Sequence, residues 1–350
     1  VTSAASFLTA EANAISVIGY KNTANIGNPG ISSTGAIAVQ SAGGDVLFQS
    51  NGNVSQSGGL TLAANSTGHA QAVSYNTTSG SNTSSITIGA ITSAGASASS
   101  PVNLSVLSRG TILVNSGISI SNTGPLNVVM QSFDTANPGS GTAGNILLYG
   151  TGITTRGGYI ILDGTGGTVS GSTLTPGTIV NGAVNMMATG FTLNTTTTNT
   201  TTLTSATTGG DISISASQSV GGSAYQQYLI NPIYSGGTFN LTANASGGAL
   251  YAQVFANHNN TSPIVAVGNI NISTTSSAAA LNDCPQYWTS AITSVSGSVS
   301  LTNSSTTPVS GIQILAPISA ATGITINNNN FNGTGVYSTA AISTTSGAIT

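Results

Sequence analysis

The stretch Gly237-Thr-Phe-Asn-Leu-Thr242 recurs as Gly268-Asn-Ile-Asn-Ile-Ser273 and again as Gly297-Ser-Val-Ser-Leu-Thr302. Each copy opens with glycine and then alternates polar with apolar residues. An alternation with a period of two is typical of a β-strand that buries one of its faces. The pattern therefore predicts a short strand in each copy, preceded by a small residue.

The same unit, a small residue, one spacer and an apolar-x-apolar triplet, runs through the whole chain. Further copies begin at Gly35, Gly58, Ser84, Gly110, Gly158, Gly182, Gly210, Thr322 and Gly347. From the first of these to the last, the spacing corresponds to about 12 periods of roughly 26 residues. Such a period indicates a repeat protein in which each repeat is one small structural unit.

A repeat of this length holds two or three short strands and cannot bury a core by itself. Stacked repeats can, because each strand bonds to its equivalents above and below it. The sequence therefore predicts an all-β fold, a parallel β-solenoid (β-helix) of about 13 coils of roughly 26 residues. We expect one continuous solenoid over residues 1–350, as part of a longer or polymerising chain. A β-sandwich or Ig-like array is the alternative fold.

The chain carries only three basic and six acidic residues among 350. In a solenoid, a charge repeated on every coil would form a destabilising ladder of like charges. Amide and hydroxyl side chains can instead bond along such a ladder, and we expect Asn240, Asn271 and Ser300 to stack in this way. Three basic residues exclude a nucleic-acid footprint. No apolar run is long enough to predict a membrane-spanning helix.

Several stretches resemble the repeats of filamentous-haemagglutinin-type proteins. The resemblance is carried by Gly210-Asp-Ile-Ser-Ile-Ser-Ala-Ser217, Gly268-Asn-Ile-Asn-Ile-Ser273 and Gly43-Gly-Asp-Val-Leu-Phe-Gln-Ser-Asn-Gly-Asn-Val54. Filamentous-haemagglutinin-type proteins are large bacterial exoproteins and adhesins with right-handed β-helical stems. The resemblance implies secretion, a structural rod and often adhesion.

The ionisable residues do not predict a catalytic or metal site. Solenoid enzymes that cleave polysaccharides need two carboxyl groups within about 5–10 Å. Here Asp163 and Asp211 are expected two coils apart, with no acids at equivalent positions of adjacent coils. Neither His69 nor His258 has ligand-type residues at metal-binding spacing, and Cys284 is the single cysteine. We therefore predict no catalytic residues, no cofactor and no metal.

Two regions are candidates for assembly contacts. Tyr287 and Trp288 belong to a late concentration of aromatic residues, which forms either a lateral contact surface or filling for a wider core. Ile349 and Thr350 close the last copy of the unit without a polar cap. Since an uncapped solenoid exposes unpaired strand edges, we expect further repeats or another subunit to stack there.

The favoured function is an extracellular structural protein that forms a fibre, stalk or surface filament by stacking solenoid coils, without catalysis. The expected partner is a second copy of the chain, in a homopolymer. The alternative is the stem of a secreted bacterial adhesin that binds cell-surface glycans or proteins. A polysaccharide-active solenoid enzyme is the least favoured alternative.

The low charge also predicts that stability depends little on pH. The slope of the free energy of unfolding against pH is proportional to the difference in bound protons between the unfolded and folded chain, and few groups here can contribute. Between pH 2 and pH 7 we expect the free energy of unfolding to change by less than about 3 kcal/mol, the contribution of one strongly perturbed carboxylate. Thermal unfolding followed by circular dichroism measures this, and a steep loss of structure in that range would contradict it.

Overall fold

The structure is a computed structural model. It describes residues 6–8, 15–19, 30–39, 43–63, 70–78, 84–93, 100–120, 124–132, 144–177, 182–186, 191–218, 227–229, 231–245, 254–256, 262–276, 286–304, 311–329 and 335–350.

The described residues form three long parallel sheets and one small antiparallel hairpin. Sheet A has 12 strands: β1 Ser6–Leu8, β4 Ile37–Val39, β7 Leu60–Leu62, β10 Ile91–Ser93, β13 Ile118–Ile120, β16 Gly152–Thr154, β21 Thr192–Asn194, β24 Ile233–Ser235, β27 Ile264–Ala266, β30 Ile292–Ser294, β33 Ile318–Ala320 and β36 Ile342–Thr344. Sheet B has 11 strands: β2 Ile15–Gly19, β5 Val46–Ser50, β8 Gln71–Thr77, β11 Val102–Ser108, β14 Leu126–Ser132, β17 Ile160–Asp163, β22 Ile212–Gln218, β25 Phe239–Ala245, β28 Ile270–Ser276, β31 Ser298–Asn303 and β34 Gly323–Asn328. Sheet C has 11 strands: β3 Ile31–Ser33, β6 Val54–Gln56, β9 Ile86–Ile88, β12 Ile112–Val114, β15 Ile146–Leu148, β20 Val184–Met186, β23 Gln227–Leu229, β26 Val254–Ala256, β29 Gln286–Trp288, β32 Ile312–Ile314 and β35 Val336–Ser338. The hairpin pairs β18 Thr168–Ser170 with β19 Thr173–Thr175.

The chain visits the three sheets in the fixed order A, B, C, and each circuit is one coil. Every strand pairs in parallel with the equivalent strand one circuit later, as Ile212 pairs with Phe239 and Phe239 with Ile270. This topology confirms the parallel β-solenoid. The sandwich alternative is wrong, because its sheets would be built from antiparallel hairpins and the one hairpin among the described strands lies outside the three sheets.

The coil length differs from the predicted 26 residues, and the count of about 13 coils is not confirmed. Hydrogen-bonded equivalents on adjacent coils are mostly 24 to 32 residues apart. The repeat unit occurs on more than one face: the copy at Gly182 precedes a strand of sheet C, whereas the copies at Gly158 and Gly210 precede strands of sheet B. One long coil, from Ile160 to its partner Ile212, was therefore taken for two short ones.

The core is the interior of the solenoid, formed by the inward positions of each strand. In the seven-residue strand β11, buried and less buried residues alternate along its whole length. Phe48 and Tyr75 stack within this core with ring centroids 4.9 Å apart. The Tyr75 hydroxyl donates a hydrogen bond to Gln56 Oε1 at 3.2 Å, and burial raises the pKa of the Tyr75 phenol above its ordinary value. The phenol hydroxyl is therefore buried together with a hydrogen-bond acceptor, as buried polar groups usually are.

The small residue of the repeat unit has a steric cause in sheet B. A column of glycines stands two residues before the first buried residue of successive strands: Gly158, Gly210, Gly237, Gly268 and Gly297. A Cβ atom on Gly210 would lie 2.4 Å from the Gly158 carbonyl oxygen, and one on Gly297 would lie 2.7 Å from the Gly268 carbonyl carbon. The coils approach so closely at this corner that only glycine can stack on glycine.

Replacing Gly210 with alanine tests this close approach. The new methyl group would meet backbone atoms of Gly158 and Tyr159 that cannot move without shifting a whole coil. We expect Gly210→Ala to lower the free energy of unfolding by about 1–3 kcal/mol, the usual cost of overpacking. The matched control is Gly335→Ala, because a Cβ atom there meets nothing within 4 Å. Urea denaturation of both variants measures the difference, and equal midpoints would contradict the steric explanation.

Candidate functional site

The outer face of sheet B carries a ladder of uncharged polar side chains. Asn240 is in register with Asn271, and Asn271 with Ser300, as the sequence predicted. Asn271 Nδ2 donates to Asn240 Oδ1 at 2.9 Å, and Asn240 Nδ2 donates to Ser213 Oγ at 3.4 Å. The ladder prediction is confirmed for the two asparagines: side chains on adjacent coils bond to one another where charges would repel.

A second set of side chains extends the backbone ladder at the start of the strands. An Asp or Asn directly before a buried residue near the start of a strand accepts, through Oδ1, the N–H of the equivalent residue on the next coil. The acceptors are Asp45, Asn53, Asn127, Asn145, Asp211 and Asn269, at 2.7–3.3 Å. Two of the six acids of the chain therefore have a structural role that asparagine fills elsewhere.

The one acid within a described strand, Asp163, is fully buried at the base of the β18–β19 hairpin. Its Oδ1 accepts the N–H and the hydroxyl of Thr165, at 2.8 and 2.5 Å. Its Oδ2 accepts the N–H of Gly167 at 2.7 Å and the Gln131 side-chain amide at 3.1 Å. Thr165 Oγ1 also accepts the N–H of Gly177, on the far side of the hairpin, at 2.9 Å. This carboxylate thus joins both ends of the hairpin to the solenoid.

The hairpin and sheet B together form a groove of about 280 Å³. One wall is the outer face of sheet B, where Asp211 and Asn240 lie on adjacent coils. The other wall is the hairpin, which contributes Thr173, Leu174 and Pro176. The groove is therefore polar on the sheet side and partly apolar on the hairpin side.

Asp163 and Asp211 are not placed as a catalytic pair. Asp163 and Asp211 were predicted two coils apart, and this is wrong, because β17 and β22 pair directly and the two acids lie on adjacent coils. Asp163 is in register with Ser215, four residues beyond Asp211. That offset corresponds to about 13 Å along the strand, which exceeds the 5–10 Å needed for glycoside hydrolysis. Asp163 is also buried in its own hydrogen-bond network.

No group of three or more His, Cys, Asp or Glu residues comes together as a metal site in the part of the chain that the structure describes. His69, His258 and Cys284 lie outside that part, so the absence of a metal site stays a prediction. Within the same described ranges, no helix has the length and apolar character needed to cross a membrane.

The two aromatic candidates for assembly occupy opposite faces of β29. Trp288 is fully buried, and its indole N–H donates to Gln286 Oε1 at 3.2 Å. This position agrees with the core-filling alternative. Tyr287 is half-buried on the outer face of sheet C, in register with Phe255 and Gln313. Of the two residues, only Tyr287 has surface available for a lateral contact, and that contact stays a prediction.

The other two candidates continue sheet B. Ile349 forms a parallel bridge with Ile324, and its side chain is 50% exposed. The Thr350 hydroxyl donates to Thr325 Oγ1 at 3.3 Å. Both residues therefore stack on the coil before them in the register used throughout the solenoid. Their predicted contact with another subunit remains a prediction.

The architecture defines this chain as an all-strand repeat protein of the parallel β-solenoid class. Comparisons with family models, with curated proteins and with solved structures find no match to it. The likeness to haemagglutinin-type repeats therefore rests on the sequence features quoted above.

Sequence reasoning did not predict the hairpin or the groove. The segment Asp163-Gly-Thr-Gly-Gly167 by itself indicates no more than a simple turn. A signal was nevertheless present, because the copy of the unit at Gly158 carries the one aspartate that ends a described strand. Asp163 is in register with Gln131, at an outward position of its strand, and is buried because the hairpin covers it. A buried acid needs several donors around it, and residues at the base of the hairpin supply three of the four.

Replacing Asp163 with asparagine tests the role of this carboxylate. The new amide nitrogen would face the Gly167 N–H and the Gln131 amide, so donors would lose their acceptor. We expect Asp163→Asn to lower the free energy of unfolding by about 1–3 kcal/mol. Amide hydrogen exchange of residues 165–177 should also become faster. Thermal unfolding and exchange mass spectrometry measure these effects.

The matched control is Asp211→Asn, which keeps an oxygen for the Thr238 N–H, as Asn127 and Asn269 do in other coils. We expect this variant to stay within about 0.5 kcal/mol of the parent chain. Equal destabilisation by both substitutions would show that Asp163 holds the hairpin no more strongly than an ordinary surface acid.

Proposed function

We propose that this chain is a structural rod, which forms an extracellular fibre, stalk or surface filament by stacking solenoid coils and performs no catalysis. The observation that carries the proposal is that equivalent uncharged residues stack along all three sheets. Such columns can be continued by any further coil of the same kind. The terminal coil of a second copy would form the same hydrogen bonds that already join one coil to the next.

The scarcity of charge supports association between copies. The formal net charge is −3 for 350 residues, so little electrostatic repulsion keeps two chains apart. The acids at strand starts, such as Asp211, are engaged in backbone hydrogen bonds. Lateral association through the outer face of sheet C, where Tyr287 lies, would add to end-to-end stacking.

A second candidate function is the stem of a secreted adhesin that binds cell-surface glycans or proteins. One structural feature favours it: the β18–β19 hairpin departs from the solenoid and encloses a polar groove against sheet B. A purely structural rod has no need of this feature. The resemblance to haemagglutinin-type repeats supports both the adhesin function and a location outside the cell.

Electron microscopy of the native material and of the purified chain tests the rod proposal. We expect long filaments with an axial repeat of about 4.8 Å, the distance between hydrogen-bonded strands. Filament formation should increase with protein concentration. Isolated short rods that stay monomeric at high concentration would overturn the fibre proposal and favour the adhesin stem.

A further inference from the structure

The groove between the hairpin and sheet B has unused hydrogen-bonding capacity. Asp211 uses Oδ1 to accept the Thr238 N–H, and its other oxygen makes no hydrogen bond in the described part of the chain. The hydroxyls of Thr173 and Thr242 likewise make none there, and both residues line the groove. These atoms are held in place by rigid strands, which gives them fixed positions toward a ligand.

The lining selects against charged ligands. The groove contains one carboxylate and no basic residue, so an anionic ligand would be repelled. A cationic peptide would gain little, because an exposed ion pair contributes only about 0–1 kcal/mol. The remaining polar groups are hydroxyls and the Asn240 amide, which bond equally well to neutral donors and acceptors.

The spacing of the polar groups along the groove and the apolar side chains opposite them suit a ligand that carries hydroxyl groups. Ser213 and Asn240 line it from adjacent coils, about 4.8 Å apart along the solenoid axis. Leu174 and Pro176 oppose them with apolar surface. A sugar ring has this amphipathic character, with hydroxyls at its edge and C–H groups on its face. The volume of about 280 Å³ lies just below the range of about 300–1,000 Å³ for drug-sized ligands, so the groove covers only part of an oligosaccharide.

We propose that this groove binds an uncharged oligosaccharide. The Asp211 carboxylate and the Asn240 amide bond to its hydroxyls, and Leu174 packs on a ring face. The inference rests on the second candidate function and specifies the ligand class of the stem. It does not depend on filament formation, since all lining residues belong to one chain.

Binding of the full chain to an array of neutral, sialylated and sulfated oligosaccharides tests the proposal, with a lysine-rich peptide as the competing probe. We expect binding to neutral oligosaccharides of two to four sugars. Titration calorimetry with the strongest neutral binder then gives the affinity. Asp211→Asn should weaken it about tenfold, the loss of one charge-assisted hydrogen bond, while unfolding stays unchanged.

A matched pair of variants separates binding from structural damage. Asn240→Ala and Asn271→Ala remove the same hydrogen bond of the ladder, but only Asn240 lines the groove. We expect Asn240→Ala to weaken binding about tenfold and Asn271→Ala to leave it within twofold.

Three results would overturn the proposal: no neutral sugar bound, binding of only acidic glycans or the lysine-rich peptide, or equal effects of the two variants. None of these results bears on whether the chain forms filaments in electron microscopy. The rod proposal and the groove proposal can therefore fail independently of each other.

Discussion

In the three sheets, each strand residue lies next to its counterparts on the neighbouring coils, at the distance of two hydrogen-bonded strands, and this constraint shapes the rest of the structure. A charge repeated in a column would repel itself, so the columns carry Asn, Ser and Thr. Where the coils approach most closely, as at Gly210 and Gly158, no side chain is tolerated. The scarcity of charged residues and the abundance of Asn, Ser, Thr and Gly therefore follow from the stacking of equivalent residues on successive coils.

The same constraint limits where a binding site can form. A regular column presents one chemical group repeated along the rod, whereas a site requires different groups close together. The coil between Ile160 and Ile212 supplies this variety, because it is the longest between in-register partners of sheet B and contains the β18–β19 hairpin. Asp163 stabilises the point where the hairpin leaves the solenoid. Its carboxylate accepts the N–H groups of Thr165 and Gly167, which lie beyond the end of β17 and outside the strand pairing of sheet B.

The proposed rod and the proposed binding groove are compatible with each other in one molecule. The groove lies over the outer face of β22 and β25, in the middle of sheet B, and not at the terminal strands β2 and β34. A filament built by end-to-end stacking would display one groove for each chain along its length. Many weak sites on one filament would bind a surface of glycans far more tightly than a single site.

Local alternation and the scarcity of charge were enough to predict parallel coils, their inward residues and the Asn240–Asn271 ladder. These features depend only on residues that are close in sequence or equivalent on adjacent coils. A single repeat of the sequence therefore already shows them. The coil length was mispredicted because the same local pattern serves more than one sheet, so Gly182 and Gly210 look alike in sequence. Only the tertiary structure assigns each unit to a sheet, buries Trp288 and brings the hairpin over Asp211 and Asn240. Those outcomes depend on register between distant segments, which the alternation of residues within one strand does not encode.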